Sequence, residues 1–279
     1  MEPILKWAGG KRLLIPHIVK YINVDEMKKN NNKYYEPFIG GGSIAFHLEL
    51  NNTIINDSNA ELINLYKVVL TTPEQLIEKL KEHQSNYDVN YYKKVRKLDR
   101  LKKYEKISDV DKAARLIFLN KTCYNGLYRV NSQGHFNVPM GRYENPDIVC
   151  ESKIVNLHNL LKNKNFIIRN MDFCDAVADA VAGDVIYFDP PYDYEEKGFT
   201  SYNSNGFSKD DLNRLKALCD NLIEKGCKVI ISNNDTKYVN NLFCSDNYSV
   251  EHIETNRFIN CDGKNRKKAK EVIIYGYKR

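Results

Sequence analysis

Four consecutive residues, directly after a short apolar run, combine an acid, two prolines and an aromatic ring: Asp189, Pro190, Pro191 and Tyr192. The run before them, residues 184–188, has the composition of a buried parallel strand. Two prolines in a row have no N–H to donate, so they end the strand and set a rigid turn. Because ligands of open α/β sheets bind at the carboxyl ends of the strands, this turn would present a carboxylate, a carbonyl group and a ring together. Such a set can accept both hydrogens of an amino group and stack on a flat substrate.

The tetrapeptide resembles the catalytic motif of amino-methyltransferases, which methylate the exocyclic nitrogen of adenine or cytosine. Taken alone it leaves another interpretation open, a turn that ends a strand with a capping aspartate. The rest of the chain has to decide between the two.

A glycine-rich loop and two acids indicate a nucleoside pocket at the same edge of the predicted sheet. Residues 36–43 join a strand to a helix, and Gly40 and Gly42 let the chain turn sharply behind Phe38. Asp57 ends the next strand, where an acid commonly holds ribose hydroxyls. The pair Asp172 and Phe173 could accept from an adenine amine and cover its ring. Neither GxGxxG nor GxxxxGK[ST] occurs, so the pattern favours an adenosine group without phosphates, as in S-adenosylmethionine.

Each of these features also has a simpler explanation as a glycine-rich turn, a helix N-cap or a helix-initiating aspartate. Their occurrence in one order, together with the tetrapeptide, favours the pocket. Trp7, the single tryptophan, stands beside Gly9 and Gly10 and between two lysines. A core position is the usual place for a tryptophan, but Lys11 could pair with the carboxylate of S-adenosylmethionine.

Short β-type runs alternate with helical spacing outside the middle of the chain, which predicts an α/β fold with a doubly wound, mostly parallel sheet. The last two runs, 249–255 and 271–277, are joined by a loop too short for a helical crossover, so we expect an antiparallel hairpin. Residues 63–160 differ: they predict a mainly helical insertion with one exposed hairpin near 124–139. The expected domains are therefore 1–62 with 161–279, and 63–160.

Composition narrows the class of protein. No apolar run approaches the roughly 20 residues that span a bilayer, no signal-peptide pattern is present, and the seven cysteines are scattered without a CxxC pair. We therefore expect a cytoplasmic protein without membrane contact, disulfide framework or bound metal. No cysteine follows a proline, which argues against the nucleophile of cytosine-C5 methyltransferases.

Residues 63–160 contain 17 Lys and Arg against 11 Asp and Glu, and so carry the whole net charge of +6. This excess suggests a polyanion partner, although a solvated helical surface explains it equally well.

Six motifs in one order make the resemblance specific: KWAGGK (6–11), EPFIGGGS (36–43), NDSNAEL (56–62), NGLYRVNSQGHFNVPMGRY (125–143), MDF (171–173) and DPPY (189–192). Together they resemble the Dam family of DNA adenine-N6 methyltransferases over nearly the whole chain. The resemblance implies a seven-stranded S-adenosylmethionine-dependent methyltransferase sheet with an inserted DNA-recognition domain. It implies S-adenosylmethionine as cofactor and double-stranded DNA as partner. Nothing indicates an obligate protein partner, and we expect a monomer.

The resemblance also implies roles for individual residues. Catalysis would involve Asp189, Pro190, Pro191 and Tyr192. Cofactor contacts would come from Trp7, Lys11, Phe38, Gly40, Gly42, Asp57, Asp172, Phe173 and Asp189. Contacts to a GATC site would come from Lys6, Tyr124, Asn125, Leu127, Arg129, Asn137 and Pro139, with Arg129 on a guanine. Tyr128 departs from some members of the family, which leaves the details of base contact open. Clustered lysines (Lys93, Lys94, Lys97, Lys102, Lys103 and 264–270) are expected to include phosphate contacts.

The predicted reaction is methyl transfer to the N6 atom of an adenine that is flipped out of the duplex. Three alternatives remain open at this point: an RNA adenine methyltransferase, a DNA cytosine-N4 methyltransferase, and a catalytically silent DNA-binding protein. A protein-glutamine methyltransferase would usually carry Asn in place of Asp189 and would not need the 125–143 segment.

Overall fold

A computed structural model describes residues 1–7, 9–194, 207–255 and 269–278 of the chain. Its strands run in the sheet order β3-β2-β1-β4-β5-β7-β6. Their bounds are β1 Tyr34–Glu36, β2 Ile54–Asn56, β3 Ile167–Arg169, β4 Val185–Phe188, β5 Lys228–Asn234, β6 Tyr248–Thr255 and β7 Ala269–Gly276.

The pairing of the strands confirms the predicted sheet. β1 lies parallel to β2 and to β4, and β4 lies parallel to β5. β7 is antiparallel to both β5 and β6. The seven-stranded sheet is thus mostly parallel with an antiparallel edge, and β6 and β7 form the antiparallel pair that the sequence predicts.

Helices connect the strands in the pattern that alternating β and helical segments predict. Four short 3₁₀ segments add to them, Lys97–Arg100, Lys102–Lys106, Tyr124–Gly126 and Asp175–Val177. Within the described residues the α-helices are α1 Ile15–Val19, α2 Val24–Asn30, α3 Ala45–Leu48, α4 Ala60–Thr71, α5 Pro73–Ser85, α6 Val89–Arg96, α7 Asp109–Thr122, α8 Glu151–Asn163, α9 Lys209–Glu224 and α10 Lys237–Leu242. None of these helices is long and apolar enough to cross a membrane.

The chain divides into two compact units. The first unit consists of Met1–Arg12, Ile39–Glu49 and Asp57–Asn170, and the second of Leu13–Phe38, Leu50–Asn56 and Met171–Arg279. In the first unit, the long helix α7 packs against α4, α5 and α6. In the second unit, the core contains the apolar faces of the central strands and of α9, with Ile186, Ile231 and Leu215 completely buried. All of residues 63–160 fall in the first unit, and their role in recognition stays a prediction.

Within the insertion predicted to be mainly helical, the basic stretch from Tyr91 to Tyr104 is α-helical only through Arg96 and then continues as 3₁₀ segments. Asp99 explains the change, because its carboxylate pairs with Arg115 at 2.7 Å and accepts the Phe136 N–H at 2.7 Å. Both partners are distant in sequence, so local spacing does not encode them.

The segment near 124–139 doubles back on itself as a hairpin would, but it does so without a continuous strand ladder. Isolated antiparallel bridges join Cys123 to Met140 and Val130 to Phe136. Between them, the chain makes a short 3₁₀ turn over Tyr124–Gly126, within which Asn125 has a left-handed φ of 54° instead of extended or helical angles.

Candidate active site

The Asp189 carboxylate is fixed by a neighbouring strand at the carboxyl end of β4. Every residue of β4 is buried, as expected for a central parallel strand. Ser232 Oγ on β5 donates to Asp189 Oδ1 over 2.8 Å, and Tyr187 Oη lies 2.9 Å from the same Oγ. The acid that the sequence singles out thus has a defined orientation.

The end of the turn is fastened just as firmly. The Asp193 N–H donates to Asn233 Oδ1 at 2.9 Å, and Asn234 Nδ2 donates to the Asp193 carbonyl at 2.6 Å. Thr236 Oγ1 also donates to Asp193 Oδ2 at 2.6 Å. With Asp193 only 6% exposed, these contacts hold the whole turn against the end of β5.

Tyr192 is partly buried, and its hydroxyl donates to Glu271 Oε2 on β7 at 3.0 Å. Burial, together with the negative charge of Asp189 and Glu271, holds the pKa of Tyr192 well above its usual range. The phenol therefore stays neutral and keeps donating to Glu271. A side chain whose hydroxyl is held in place suits stacking on a flat substrate better than one that moves freely.

Behind the turn, a second acid is buried in the same unit. Glu36 is 3% exposed and accepts the Tyr34 hydroxyl at 3.0 Å. Burial, and then the charges of Glu36 and Asp189, raise the pKa of Tyr34 well above its usual range. Neutral tyrosine hydroxyls are therefore the buried donors in the neighbourhood of these carboxylates.

The predicted adenine-binding pair lies beside a cation that the sequence did not single out. Arg214 on α9 donates to Asp172 Oδ1 at 3.0 Å, and its guanidinium carbon lies 5.0 Å from the centre of the Phe173 ring. Burial alone would raise the pKa of Asp172, but the Cys174 N–H and Arg214 outweigh it and lower that pKa. Phe173 is itself buried and packs against Phe38 at 5.3 Å between ring centroids.

In the first unit, the glycine-rich loop is joined to Asp57 by a hydrogen bond. The Gly40 N–H donates to Asp57 Oδ2 at 3.1 Å, and the Asn59 N–H donates to Asp57 Oδ1 at 2.9 Å. Burial raises the pKa of Asp57, opposed by these backbone hydrogen bonds. The Gly40 carbonyl accepts the Tyr66 hydroxyl at 2.6 Å, which fixes the loop from its other side.

Trp7 lies directly on this loop. A Cβ atom added to Gly40, whose φ is +46°, would come within 3.0 Å of the indole, so both the backbone conformation and the close approach require glycine. Gly42, at a φ of +72°, is required in the same way by the Phe46 ring. The other face of Trp7 is stacked on Tyr128, with ring centroids 5.2 Å apart. Tyr128, the departure from the family pattern, is thus the partner of Trp7.

Lys11 is buried, and its Nζ donates to the Gly9 carbonyl at 2.6 Å. This hydrogen bond uses one of the three donors of the ammonium group. A carboxylate ligand remains within the chemical capacity of the side chain.

The predicted DNA-contacting segment is held in place by Asn120, a buried residue of α7 that the sequence did not reveal as part of the site. Its Nδ2 donates to the carbonyl oxygens of Lys6 and Gly126 at 2.7 and 2.8 Å, and its Oδ1 accepts the Lys6 N–H at 2.8 Å. The one available signal was an amide directly after the apolar run 116–119 of the helix. Asn120 brings Lys6 to the same place as the 124–139 segment.

Most side chains expected to contact DNA are accessible. Arg129 is exposed, and its Nε donates to Asn137 Oδ1 at 2.8 Å. The Tyr124 N–H donates to the Pro139 carbonyl at 2.9 Å, which leaves the Tyr124 ring 47% exposed. Lys6, Asn125 and Pro139 are exposed, whereas Leu127 and Asn137 are half-buried.

The expected phosphate contacts divide into two kinds. Lys93, Lys94, Lys97, Lys102 and Lys103 are exposed, whereas Arg96, Arg100 and Arg115 donate to main-chain carbonyls within the same unit. Part of the positive charge of the middle segment therefore stabilises the unit itself. Of the last cluster, residues 264–268 lie outside the described part of the chain.

In the first unit, the Asp57 carboxylate is an acceptor for hydroxyl hydrogens and Lys11 is a cation. In the second unit, the Asp172 carboxylate is an acceptor for amine hydrogens and Phe38 is an apolar ring. Within the described residues no group of His, Cys, Asp and Glu side chains could hold a metal ion.

A mostly parallel seven-stranded sheet with acids after its strands is consistent with the S-adenosylmethionine-dependent methyltransferase fold. A family model described as D12 class N6 adenine-specific DNA methyltransferase matches residues 7–259. The chain therefore belongs to this family, and it is an adenine-specific DNA methyltransferase. Proteins of this kind act on DNA and in general use S-adenosylmethionine as the methyl donor.

Relatives that match over nearly their whole length are also named as methyltransferases or methylases. A type II methyltransferase of Lactococcus lactis subsp. cremoris, M1.LlaDCHI, is 41% identical, with 99% of this chain and 96% of the relative covered. The type II methyltransferase M.MjaIII of Methanocaldococcus jannaschii is 37% identical, with 99% of each covered. The DNA adenine methylase of Escherichia coli K12 is 30% identical, with 96% and 93% covered.

Proposed function

We propose that this chain methylates the N6 atom of an adenine flipped out of duplex DNA, within the sequence GATC. In this proposal, residues 63–160 form the recognition domain, and residues 1–62 and 161–279 form the catalytic domain. The cytoplasm is the expected location. The observation that carries the proposal is the fixed Asp189 carboxylate next to the Pro190 carbonyl and the tethered Tyr192 ring.

The chemistry requires the base to leave the stack. Adenine N6 is conjugated with its ring, which makes it a weak nucleophile, and it is out of reach while it is paired. Flipping costs a few kcal/mol, and stacking on Tyr192 would offset part of that cost. When bound, S-adenosylmethionine supplies an electrophilic methyl group.

Asp189 and Pro190 activate the amino group by position and charge. The Asp189 carboxylate and the Pro190 carbonyl would accept the two N6 hydrogens, which draws electron density onto nitrogen and aims its lone pair. A carboxylate offers about four acceptor positions, so the Ser232 hydrogen bond does not exhaust it. The proton can leave after transfer, so a strong base is not needed.

The remaining assigned residues divide between cofactor and DNA. Trp7, Lys11, Phe38, Gly40, Gly42, Asp57, Asp172 and Phe173 would hold the cofactor, and Lys6, Tyr124, Asn125, Leu127, Arg129, Asn137 and Pro139 would contact the site. Support comes from the motif resemblance and from the exposure of most of the second group. The GATC assignment rests on the resemblance of the 125–143 segment.

The test is methyl transfer by Asp189→Ala and Asp189→Asn on a GATC duplex, with N6-methyladenine as the measured product. We expect both variants to lose at least about 100-fold in kcat, since each removes the anionic acceptor. Asp246→Asn, at an exposed aspartate, is the matched control and should retain the wild-type rate. Near-wild-type turnover by Asp189→Ala would refute the assignment. N4-methylcytosine as product would favour a DNA cytosine-N4 methyltransferase, and methylation of RNA alone would favour an RNA adenine methyltransferase. No transfer by the wild type would favour a catalytically silent DNA-binding protein.

A further inference from the structure

Two residues outside the tetrapeptide hold its chemically active groups. We propose that Ser232 and Glu271 are positioning residues for methyl transfer, Ser232 acting through Asp189 and Glu271 acting through Tyr192. The inference rests on the proposed function, because it assigns roles around the same reacting amino group.

The strand registers bring both residues to the turn. Phe188, the last residue of β4, pairs with Ile231 on β5. The residues that follow them, Asp189 and Ser232, therefore lie side by side. Glu271 is near the start of β7, where it pairs with Asn234 at the end of β5. Since β7 runs antiparallel to β5, its first residues lie at the same edge as the carboxyl ends of β4 and β5.

Proton counting fixes the direction of the Ser232 hydrogen bonds. An ionised carboxylate only accepts, so the single Ser232 hydrogen is donated to Asp189. Tyr187 must then donate to Ser232 Oγ, which gives an ordered chain from Tyr187 through Ser232 to Asp189. Ser232 is completely buried, and a chain of this kind in a site of low polarity strengthens each of its hydrogen bonds. The carboxylate plane is therefore set before substrate arrives.

Glu271 plays the corresponding part for Tyr192. It is only 8% exposed, and a buried carboxylate is costly unless it accepts hydrogen bonds. The Tyr192 hydroxyl supplies one of these at 3.0 Å. The contact fixes the position of the Tyr192 hydroxyl and so limits movement of the whole side chain, which would keep the ring in place for the incoming base.

The Ser232 half is tested by steady-state kinetics of Ser232→Ala, Ser232→Thr and Ser232→Cys. We expect kcat of Ser232→Ala to fall about 10- to 100-fold, because small misplacement of a reacting group costs that much. The KM for DNA and the Kd for S-adenosylmethionine should stay within about twofold, since a positioning residue acts on the transition state. Ser232→Thr keeps the hydroxyl and should recover most of kcat, and Ser232→Cys, a weak donor of similar volume, should lie between the two.

Thr53→Val is the matched control, since it removes another buried hydroxyl that donates, at 3.0 Å, to the Leu50 carbonyl. Its kcat should equal that of the wild type. If folded Ser232→Ala retains kcat within about twofold of wild type, or if Ser232→Thr and Ser232→Ala lose equally, Ser232 only fills the strand and the assignment is wrong.

The Glu271 half is tested by a double-mutant cycle of Glu271→Gln and Tyr192→Phe. The readouts are single-turnover rate and the fluorescence of 2-aminopurine at the target adenine, which increases when the base leaves the stack. If Glu271 acts through Tyr192, the double variant loses no more than the worse single variant. Additive losses, or a wild-type rate for Glu271→Gln, would overturn the role of Glu271.

The outcomes separate this inference from the proposed function. If wild type fails to produce N6-methyladenine, or if Asp189→Ala is fully active, the proposed function itself fails. If wild type is active and Asp189→Ala is not, but Ser232 and Glu271 variants behave like wild type, only the positioning roles fail.

Discussion

Arg129, the side chain predicted to contact a guanine, is oriented by one hydrogen bond. Its Nε donates to Asn137 Oδ1 at 2.8 Å, and the other four N–H donors are carried by the two terminal nitrogens. Bidentate donation to a guanine is worth about 1–3 kcal/mol of discrimination. We therefore expect Arg129→Ala to relax the choice of base at one position, measured as the ratio of kcat/KM on GATC and on single-substituted sites.

Asn137→Ala serves as the companion variant, because it removes the partner that orients the guanidinium. It should shift the same ratio in the same direction by a smaller factor. Equal losses on cognate and substituted duplexes would mean that Arg129 contributes only to general DNA affinity.

At this scale, the sequence predicted residues for the chemistry but not the residues that hold them in place. The acid, prolines and ring of residues 189–192 are adjacent, so their purpose can be read locally. Ser232, Glu271 and Arg214 act across 43, 79 and 42 positions respectively. Their partnership depends on strand register and on the placement of α9, which no local pattern specifies.

Among the elements, α7 supports the segment near 124–139. Asn120, near the end of α7, donates hydrogen bonds to the carbonyl oxygens of Lys6 and Gly126. Arg115, in the middle of α7, has a side chain that is 2% exposed and pairs with Asp99.

The strands and the helix α5 could be predicted because their apolar periodicity and the proline at residue 73 are local signals. The 3₁₀ segments after Arg96 could not, because Asp99 is held by residues far along the chain.

His83 on α5 makes the stability of this helical region depend on pH. Its ring stacks on Phe118 with centroids 4.9 Å apart, and its Nδ1 lies 2.9 Å from the Tyr91 hydroxyl. Burial, followed by the charge of Lys79, lowers the pKa of His83 to about 4, against weaker opposition from Asp111 and Glu82. The native state thus binds fewer protons than the unfolded state between pH 6.5 and 4. Neutral His83 therefore contributes fully to the free energy of unfolding above pH 6.5. That free energy decreases by about 3 kcal/mol as the pH falls from 6.5 to 4.

We expect His83→Phe to remove that part of the acid sensitivity, measured as the free energy of unfolding in urea at pH 7 and at pH 4.5. His47→Asn, at an exposed histidine, should leave the pH dependence unchanged. An identical pH dependence in wild type and His83→Phe would show that His83 does not titrate in this way.

For the whole molecule, the location of positive charge predicts how DNA binding responds to salt. The exposed lysines of the middle segment have the character of phosphate contacts, and each neutralised phosphate adds about 0.9 to the slope of log K against log salt concentration. Replacing Lys93, Lys94 and Lys97 with glutamine should therefore reduce that slope, measured by fluorescence anisotropy of a labelled duplex.

A matched triple variant at the exposed lysines Lys28, Lys29 and Lys225 loses the same charge in the second unit. It should leave the slope close to that of the wild type. Equal slopes for both triple variants would assign the middle lysines to a solvated surface instead.

The most direct measurement is to incubate the protein with labelled S-adenosylmethionine and plasmid DNA, and to map methylated bases at single-nucleotide resolution. The proposed function predicts N6-methyladenine at the adenines of GATC sites and at no other sequence, with none formed by Asp189→Ala. Methylation of adenines in a different sequence would contradict the GATC assignment. Methyl groups on cytosine, or active Asp189→Ala, would contradict the central assignment of residues 189–192 to adenine N6.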